Sequence, residues 1–170
     1  MSPETTIATP RMILRSLRPD DWEVTHGIFS DPEAMRFIPG GAFDDPERCR
    51  RWVAKVRENE ERDGYGFWAM ELTETGEVVG QCGLVKVAGK GPEIEVAYHL
   101  LRAHWGRGYA TEAARSSVEH GLGKLGLEKI IGLTFPEHRV SQRVLEKAGL
   151  TFVREAEWYG MAMREYQITA

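Results

Sequence analysis

The sequence is poor in cysteine, carries no excess of positive charge and contains no long apolar run. Its two cysteines, Cys49 and Cys82, lie far apart without the spacing of metal ligands, which favours packing residues in a reduced cytoplasm over a disulfide framework. With 22 basic and 26 acidic residues the net charge is −4, which argues against nonspecific binding to nucleic acid or an anionic membrane. No apolar run could span a bilayer, and residues 1–10 lack a signal-peptide core. We therefore expect a cytoplasmic protein without a nucleic-acid or membrane partner.

The sequence also lacks internal repeats, low-complexity tracts and linker-like stretches, so nothing divides it into parts. A chain of 170 residues, 42% of them hydrophobic, is long enough to bury one core. We expect a single domain over residues 1–170.

What the sequence does contain is an alternation of strand-like and helix-like periods. The strand-like segments predict seven strands, over residues 11–17, 64–72, 78–87, 93–101, 129–135, 151–159 and 161–168. The helix-like segments predict four helices, over residues 20–29, 45–62, 109–125 and 139–148. Asp20 and Asp45 are the predicted caps of the first two helices, and Gly126 and Gly149 end the last two. The order predicts a mixed α/β (α+β) fold with antiparallel hairpins at both ends.

The stretch from Tyr98 to Ala113 organises the chain, because an apolar strand there breaks at two glycines and passes directly into a helix. Gly106 and Gly108 let the main chain turn so that unpaired N–H groups at the helix start converge on one point. The helix dipole, with Arg107 between the glycines, suits a phosphate or pyrophosphate. A glycine turn without any ligand stays open as the alternative.

A dinucleotide fingerprint needs a third glycine three residues after Gly108, where this chain has Thr111. The sequence of a Walker loop occurs nowhere in the chain. Its residues 106–113, Gly-Arg-Gly-Tyr-Ala-Thr-Glu-Ala, instead resemble the GNAT superfamily of acyl-CoA-dependent N-acetyltransferases. Residues 95–98, Glu-Val-Ala-Tyr, and 141–150, Ser-Gln-Arg-Val-Leu-Glu-Lys-Ala-Gly-Leu, fit the same pattern. Within the superfamily the chain is most similar to the ribosomal-protein N-terminal acetyltransferase branch. The resemblance implies a central, mixed but mostly antiparallel sheet of about seven strands, flanked by about four helices and splayed into a V at the cofactor.

The resemblance implies acetyl-CoA as the co-substrate and no metal. The pyrophosphate would lie on the backbone amides of residues 105–110 and the Thr111 hydroxyl, and the pantetheine arm would pair with the backbone of Leu100 and Leu101. His138 stands where relatives carry asparagine, and Ala103 stands where they carry a phosphate-binding Gln or Arg, which Arg102 or Arg107 can replace. The cofactor-binding residues implied are Leu100, Leu101, Trp105, Gly106, Arg107, Gly108, Tyr109, Ala110, Thr111, His138 and Ser141.

Candidate catalytic groups lie on the strand before the loop and at the start of the last helix. Glu93, Glu95 and His99 share one strand face, because side chains alternate along a strand. The resemblance points to Glu95 as the base or water-positioning residue, with Glu93 or a merely solvated face as alternatives. It points to Ser141 as the general acid or sulfur partner, with ordinary helix polarity as the alternative. Leu145 aligns with the tyrosine that many relatives use as an acid, so tyrosine-acid chemistry is not expected.

We expect the acceptor to be a primary amine. Deprotonating an α-amine at pH 7 costs about 1.4 kcal/mol, against about 4.6 kcal/mol for a lysine side chain, which favours a peptide N-terminus or a small-molecule amine. Phe37 on one side of the cleft, and Trp158 with Tyr159 on the other, are the acceptor-binding residues that the resemblance implies. Direct attack in a ternary complex is expected, since Cys82 has no cue for activation as a nucleophile.

One alternative of another class stays open at this point. The chain could be an acyl-CoA-binding regulatory module without efficient turnover, a reading that Leu145, His138 and Ala103 favour. A homodimer is also left open.

Overall fold

The computed structural model describes residues 4–170. Eight strands form one sheet in the order β1-β2-β3-β4-β5-β6-β8-β7. The strands are β1 Thr6–Ala8, β2 Met12–Ser16, β3 Phe67–Leu72, β4 Val78–Lys86, β5 Ile94–Leu100, β6 Lys129–Thr134, β7 Thr151–Trp158 and β8 Met161–Thr169. The helices are α1 Trp22–Phe29, α2 Pro46–Asp63, α3 Tyr109–Gly123 and α4 Arg139–Lys147.

The sheet is antiparallel at every junction except that between β5 and β6, which run parallel. That junction holds through the single register pair Glu95 and Ile131, whereas β4 and β5 pair over seven positions. Beyond Glu95 the two parallel strands therefore separate, and the C-terminal half of β5 has one unpaired edge. The mixed, mostly antiparallel fold with four helices is confirmed.

The structure has eight strands rather than about seven, because residues 6–8 add an edge strand that the sequence did not reveal. Ile7 pairs with Leu14 of β2, and the Thr5 amide donates to the Ser16 hydroxyl. A strand of three residues is too short for an alternating pattern to be visible in the sequence.

Local sequence signals predicted the ends of the second helix better than the start of the first. Asp45 caps α2 by accepting a hydrogen bond from the Arg48 amide, and the helix ends at Gly64, whose φ is +82°. The predicted cap Asp20 is wrong, since α1 follows a short 3-10 turn and begins after Asp21. The Asp21 carboxylate instead pairs with Arg15 at 2.8 Å, a contact over six residues that no capping rule describes.

The helices cover both faces of the sheet. The face with α3 and α4 buries Met12, Leu14 and the even-numbered residues of β5, and the face with α1 and α2 buries Leu17, Phe67 and Ala69. Small residues bring α3 close to the sheet, since a Cβ on Gly121 would lie 2.7 Å from the Leu84 side chain. The predicted C-terminus of α3 runs to residue 125, but the helix ends at Gly123, shortly before Gly126 with a φ of +67°. Within residues 4–170, no helix is long and apolar enough to cross a membrane.

Candidate active site

The loop between β5 and α3 has the backbone that the two glycines predicted. Gly106 and Gly108 have φ values of +75° and +79°, in the region that glycine adopts without strain. The first turn of α3 closes when the Glu112 amide donates to the Gly108 carbonyl at 3.1 Å. The amides of Tyr109, Ala110 and Thr111 precede that bond and have no carbonyl one turn earlier in the helix. Three donors therefore point from the positive end of the helix dipole toward the loop, as an anion requires.

Arginines reach this loop in a way that the sequence did not show. Arg102, one of two predicted substitutes for the missing phosphate contact at Ala103, is held by Asp31 through two hydrogen bonds of 2.8 and 2.9 Å. Arg107 is exposed. A third arginine, Arg11 at the start of β2, extends over the Tyr109 ring, 4.5 Å from its centroid.

Arg11 is fixed there by an acidic residue of α3. Its Nε donates to a Glu112 carboxylate oxygen at 2.8 Å, and its backbone amide donates to the other oxygen. One terminal nitrogen of its guanidinium would lie 3.3 Å from a Cβ at Gly108. The helix start thus has two arginines beside it, one from the loop and one from the first hairpin.

The unpaired edge of β5 offers fewer backbone groups than predicted. The Leu101 amide donates to Val79 and its carbonyl accepts from the His104 amide, so Leu101 has no free backbone group for a pantetheine arm. Because the two edges of a strand alternate, the amides of Tyr98 and Leu100 face the gap toward β6. The Leu100 carbonyl already accepts a hydrogen bond from the Trp105 indole at 3.1 Å. The backbone groups of Leu101 thus have partners within the chain, and the open groups on this edge are those of Tyr98 and the amide of Leu100. Pairing of this strand with a pantetheine arm stays a prediction.

The carboxylate of Glu95 lies where β5 and β6 begin to separate. It accepts a hydrogen bond of 2.6 Å from the hydroxyl of Tyr159, at the turn between β7 and β8. Burial raises the pKa of the Glu95 carboxyl to about 7, and the Tyr159 hydrogen bond opposes that rise. A carboxyl with a pKa near neutrality can take up a proton and release it again at pH 7. The structure thus joins the predicted catalytic residue to one of the predicted acceptor-binding residues.

The other candidate bases on this strand are less suited to the task. Glu93 precedes β5. His99 lies between the rings of Phe29 and Phe67, and its Nδ1 is 3.1 Å from the Gln81 amide nitrogen. Burial lowers the pKa of His99 to about 4, so its ring is neutral at pH 7.

The second acceptor-binding candidate on the hairpin, Trp158, also contacts a carboxylate. Its indole donates to Glu165 at 2.9 Å, and Glu165 is nearly fully buried. Neighbouring hairpin residues therefore hold two different carboxylates, one on β5 and one on β8. Sequence reasoning placed the hairpin beside the cleft but did not identify Glu165, whose position shows no signal in the sequence.

Ser141 and His138 lie at the start of α4, and Phe37 from the loop after α1 lies next to His138. The His138 ring stacks on Phe37 with a centroid distance of 4.4 Å, so the loop after α1 touches the start of α4. Ser141 is buried, and its hydroxyl lies 2.6 Å from that of Tyr98. Leu145 is buried against Gly132 of β6, so it presents no side chain to the cleft. Of the residues in the motif 95–98, Tyr98 is the one whose contact with Ser141 sequence reasoning missed.

Other features of residues 4–170 lie apart from the predicted site residues. No group of three or more His, Cys, Asp or Glu side chains within residues 4–170 could hold a metal ion. A groove of about 620 Å³ lies between Trp22 at the start of α1 and Arg57 of α2, and none of the predicted site residues lines it. Cys82 is fully buried, and burial raises the pKa of its thiol to about 12, which agrees with a packing role.

Comparisons with known proteins agree with this geometry. Residues 11–151 match the family model described as an acetyltransferase (GNAT) domain. The chain is 32% identical to the uncharacterized protein YkkB of Bacillus subtilis (strain 168), over 98% of this chain and 97% of that protein. It is 28% identical to the uncharacterized N-acetyltransferase p20 of Bacillus licheniformis, over 95% of this chain and 87% of that protein.

Solved structures share the fold. An acetyltransferase from Agrobacterium tumefaciens str. C58 superposes with a TM-score of 0.85 at 28% identity, covering 100% of this chain and 97% of that one. The ribosomal L7/L12 alpha-N-protein acetyltransferase RimL, in complex with coenzyme A, gives a TM-score of 0.80 at 13% identity, covering 97% and 98% of the two chains. At that identity the second similarity concerns the fold alone.

Proposed function

Because this chain belongs to the GNAT acetyltransferase family and is an acyl-CoA-dependent acetyltransferase, we propose that it transfers the acetyl group of acetyl-CoA to a primary amine. The amine attacks the thioester directly, in a ternary complex. The observation that carries this proposal is the Glu95 carboxyl, with a pKa of about 7, held by Tyr159 at the point where β5 and β6 separate.

The loop 105–111 suits the phosphates of acetyl-CoA. Its glycines leave the backbone accessible, because a Cβ on Gly106 would meet no atom within 4 Å. The first amides of α3 have no acceptor within the helix and can donate to a phosphate. Arg107 and Arg11 provide positive charge beside these amides. When bound, acetyl-CoA supplies an acyl thioester whose thiol is the leaving group. The gap between β5 and β6 can take the pantetheine arm along the amides of Tyr98 and Leu100.

Glu95 removes the proton that the amine must lose, directly or through one water. At pH 7 about half of a carboxyl with a pKa near 7 is ionised, and the proton that it accepts can pass on to solvent. Ser141, near the start of α4, contacts the Tyr98 side chain on the face of β5 opposite Glu95, and it is the residue that would meet the departing sulfur.

The acceptor that this chemistry favours is a peptide N-terminus or a small-molecule amine rather than a lysine side chain. The lower pKa of an α-amine, or of another weakly basic amine, makes deprotonation cheaper by about 3 kcal/mol for the α-amine. On the acceptor side the negative charge comes from Glu95, since Glu165 is paired with Arg154 and with the Trp158 indole. RimL is a ribosomal L7/L12 alpha-N-protein acetyltransferase, so peptides belong among the acceptors to be tried. We place the protein in the cytoplasm, in accord with two buried free thiols.

The test is a panel of N-terminal peptides, polyamines, amino acids, aminoglycosides and lysine side-chain peptides, each incubated with acetyl-CoA. Release of CoA thiol and mass spectrometry of each amine report turnover and product. We expect acetylation of at least one α-amine or small amine in preference to lysine side chains. Binding of CoA without thiol release for any amine would instead support a regulatory acyl-CoA-binding module.

A further inference from the structure

The hydroxyls of Tyr98 and Ser141 form a pair beside the gap between β5 and β6. Tyr98 lies on β5, and its side chain projects toward α4. Its hydroxyl oxygen is 2.6 Å from the Ser141 hydroxyl and 3.1 Å from the Ser141 carbonyl oxygen. Both distances are within hydrogen-bonding range, and Tyr98 is the donor of the longer contact because a carbonyl oxygen can only accept. The two residues lie 43 positions apart in the sequence.

The two hydroxyls carry one hydrogen each, and their arrangement decides what Ser141 can do. Burial raises the pKa of the Tyr98 phenol above its ordinary value, so the phenol keeps its hydrogen throughout the physiological range. When Tyr98 donates to the Ser141 carbonyl, the Ser141 hydroxyl donates to the phenol oxygen and has no hydrogen left for another partner. When Tyr98 donates to the serine hydroxyl instead, the hydrogen of Ser141 is free to point elsewhere. A negatively charged sulfur in the gap selects this arrangement, because an ionised acceptor forms the stronger hydrogen bond.

We propose that Tyr98 is a positioning residue, which turns the Ser141 hydroxyl so that its hydrogen points at the departing sulfur of CoA. This inference rests on the proposed function. As the C–S bond breaks, its electron pair stays on sulfur, and Ser141 donates a hydrogen bond to the thiolate while keeping its proton. The proton lost by the amine goes to Glu95 and from there to solvent. Ser141 is thus a sulfur partner, not a general acid.

Two arguments, one chemical and one structural, support this assignment. A thiolate whose parent thiol has a pKa near 8.5 can leave without taking a proton, whereas a serine hydroxyl loses its own proton far less readily. Hydrogen bonding therefore stabilises the leaving group where full proton transfer would not. In addition, Leu145, one turn after Ser141, is turned into the core against Gly132, so the hydroxyl that supports Ser141 comes from β5.

The test compares binding of CoA with binding of desulfo-CoA, which has hydrogen in place of the thiol. At pH 9, where roughly three quarters of a thiol with a pKa near 8.5 is ionised, calorimetry measures both affinities. We expect the unaltered protein to bind CoA about tenfold more tightly than desulfo-CoA, the strength of one hydrogen bond to a charged group. Tyr98→Phe and Ser141→Ala should each abolish most of this preference, and the double variant should lose no more than either.

Tyr166→Phe is the matched control. Tyr166 is another buried tyrosine of the same core, and its hydroxyl accepts a hydrogen bond from Arg164 instead of contacting Ser141. This variant should keep the tenfold preference. In kinetics with a good amine, Tyr98→Phe should lower kcat several-fold with little change in KM for acetyl-CoA.

Retention of the full CoA preference by Tyr98→Phe, or equal losses that add in the double variant, would overturn the assignment. A purely structural role would weaken CoA and desulfo-CoA equally, and that result would overturn it too. Failure of the proposed function is a separate outcome, since it would appear as no acetylated amine from the unaltered protein. The binding comparison decides the role of Tyr98 in either case.

Discussion

The Tyr159 hydroxyl donates a hydrogen bond of 2.6 Å to the Glu95 carboxylate, and this contact joins the tip of the last hairpin to the fifth strand of the sheet. Tyr159 also accepts a hydrogen bond from the Ala88 amide, so its ring is held from two sides. The backbone of Tyr159 has a φ of +55°, a left-handed conformation that is uncommon outside glycine. The hairpin therefore maintains a less favoured backbone at the residue that holds the candidate base.

Removal of the Tyr159 hydroxyl should raise the pKa of Glu95. The hydrogen bond stabilises the charged carboxylate, so Tyr159→Phe loses that stabilisation while burial still favours the protonated form. The acidic limb of the pH profile of kcat/KM, which reports the base in the free enzyme, should move to higher pH. Tyr166→Phe should leave that limb in place. An unchanged limb in Tyr159→Phe would mean that another group titrates.

Replacement of Glu95 by glutamine should slow the reaction. Glutamine keeps the size of the side chain and an oxygen for the Tyr159 hydrogen bond but cannot accept a proton, so we expect a loss of roughly 10- to 1000-fold in kcat. Affinity for CoA should change little, and high pH should recover part of the rate by deprotonating the amine without help. The matched variant Glu93→Gln, just outside β5, should have a much smaller effect. A reversed order between the two variants would assign the base to Glu93.

The titration of Glu95 and that of His99 should affect stability in opposite directions. The pKa of Glu95 is raised from 4.5 to about 7, so the folded state holds more protons than the unfolded state and stability falls as pH rises through that window. The pKa of His99 is lowered from 6.5 to about 4, so stability falls as pH drops from about 6.5 toward 4. Each proton changes the unfolding free energy by at most about 1.4 kcal/mol per pH unit.

Because the two windows overlap, only differences between the unaltered protein and each variant isolate them. As the pH rises from 5 to 8, the stability of Glu95→Gln should increase relative to that of the unaltered protein. As the pH falls from 7 to 5, the stability of His99→Gln should increase relative to that of the unaltered protein. Urea unfolding at each pH gives the free energies. A difference that does not vary with pH would show that the group has the same pKa in both states.

The glycine loop should be tested by a pair of variants with the same backbone strain. Gly106 and Gly126 have φ values of +75° and +67°, a Cβ on either would meet no atom within 4 Å, and they lie at opposite ends of α3. Alanine should cost about 1–2 kcal/mol of stability at each position. Saturating CoA, at 100 times its dissociation constant, should add roughly 2.7 kcal/mol to the unaltered protein and to Gly126→Ala. Gly106→Ala should lose most of this gain, and an equal gain in both variants would place the phosphates elsewhere.

The parts of this fold that the sequence predicted are those encoded locally. Local features include the glycines of the loop, Asp45 before α2 and the small residues of α3. Each determines the structure of residues close to it in the sequence, so a few consecutive residues are enough to predict it. The edge strand around Ile7 was not predicted, because three residues are too few to show the alternation of apolar and polar side chains that marks a strand. Asp20 is not the cap because residues 19–21 form a 3-10 turn, in which the Asp21 carboxylate accepts a hydrogen bond from the Arg18 amide.

The parts that the sequence did not predict depend on contacts between distant residues. The pairing of Glu95 with Tyr159 spans 64 positions, and it exists only because the hairpin folds back over the sheet. The loss of Leu101 as a backbone partner depends on which edge of β5 faces β4, and a shift of one residue would reverse it. Strand alternation gave the shared face of Glu95 and His99 correctly, but not that aromatic rings would enclose His99.

Transfer of isotopically labelled acetyl groups tests the central claim most directly. The protein is mixed with acetyl-CoA labelled in both acetyl carbons and with the amine that the panel shows to be acetylated fastest. Mass spectrometry then measures the masses of the amine and of the intact protein. Direct attack predicts that the label appears on the amine at the rate at which CoA thiol is released, that the protein carries none, and that Glu95→Gln slows both events together. Label on the protein before it reaches the amine, or thiol release without labelled amine, would contradict the account.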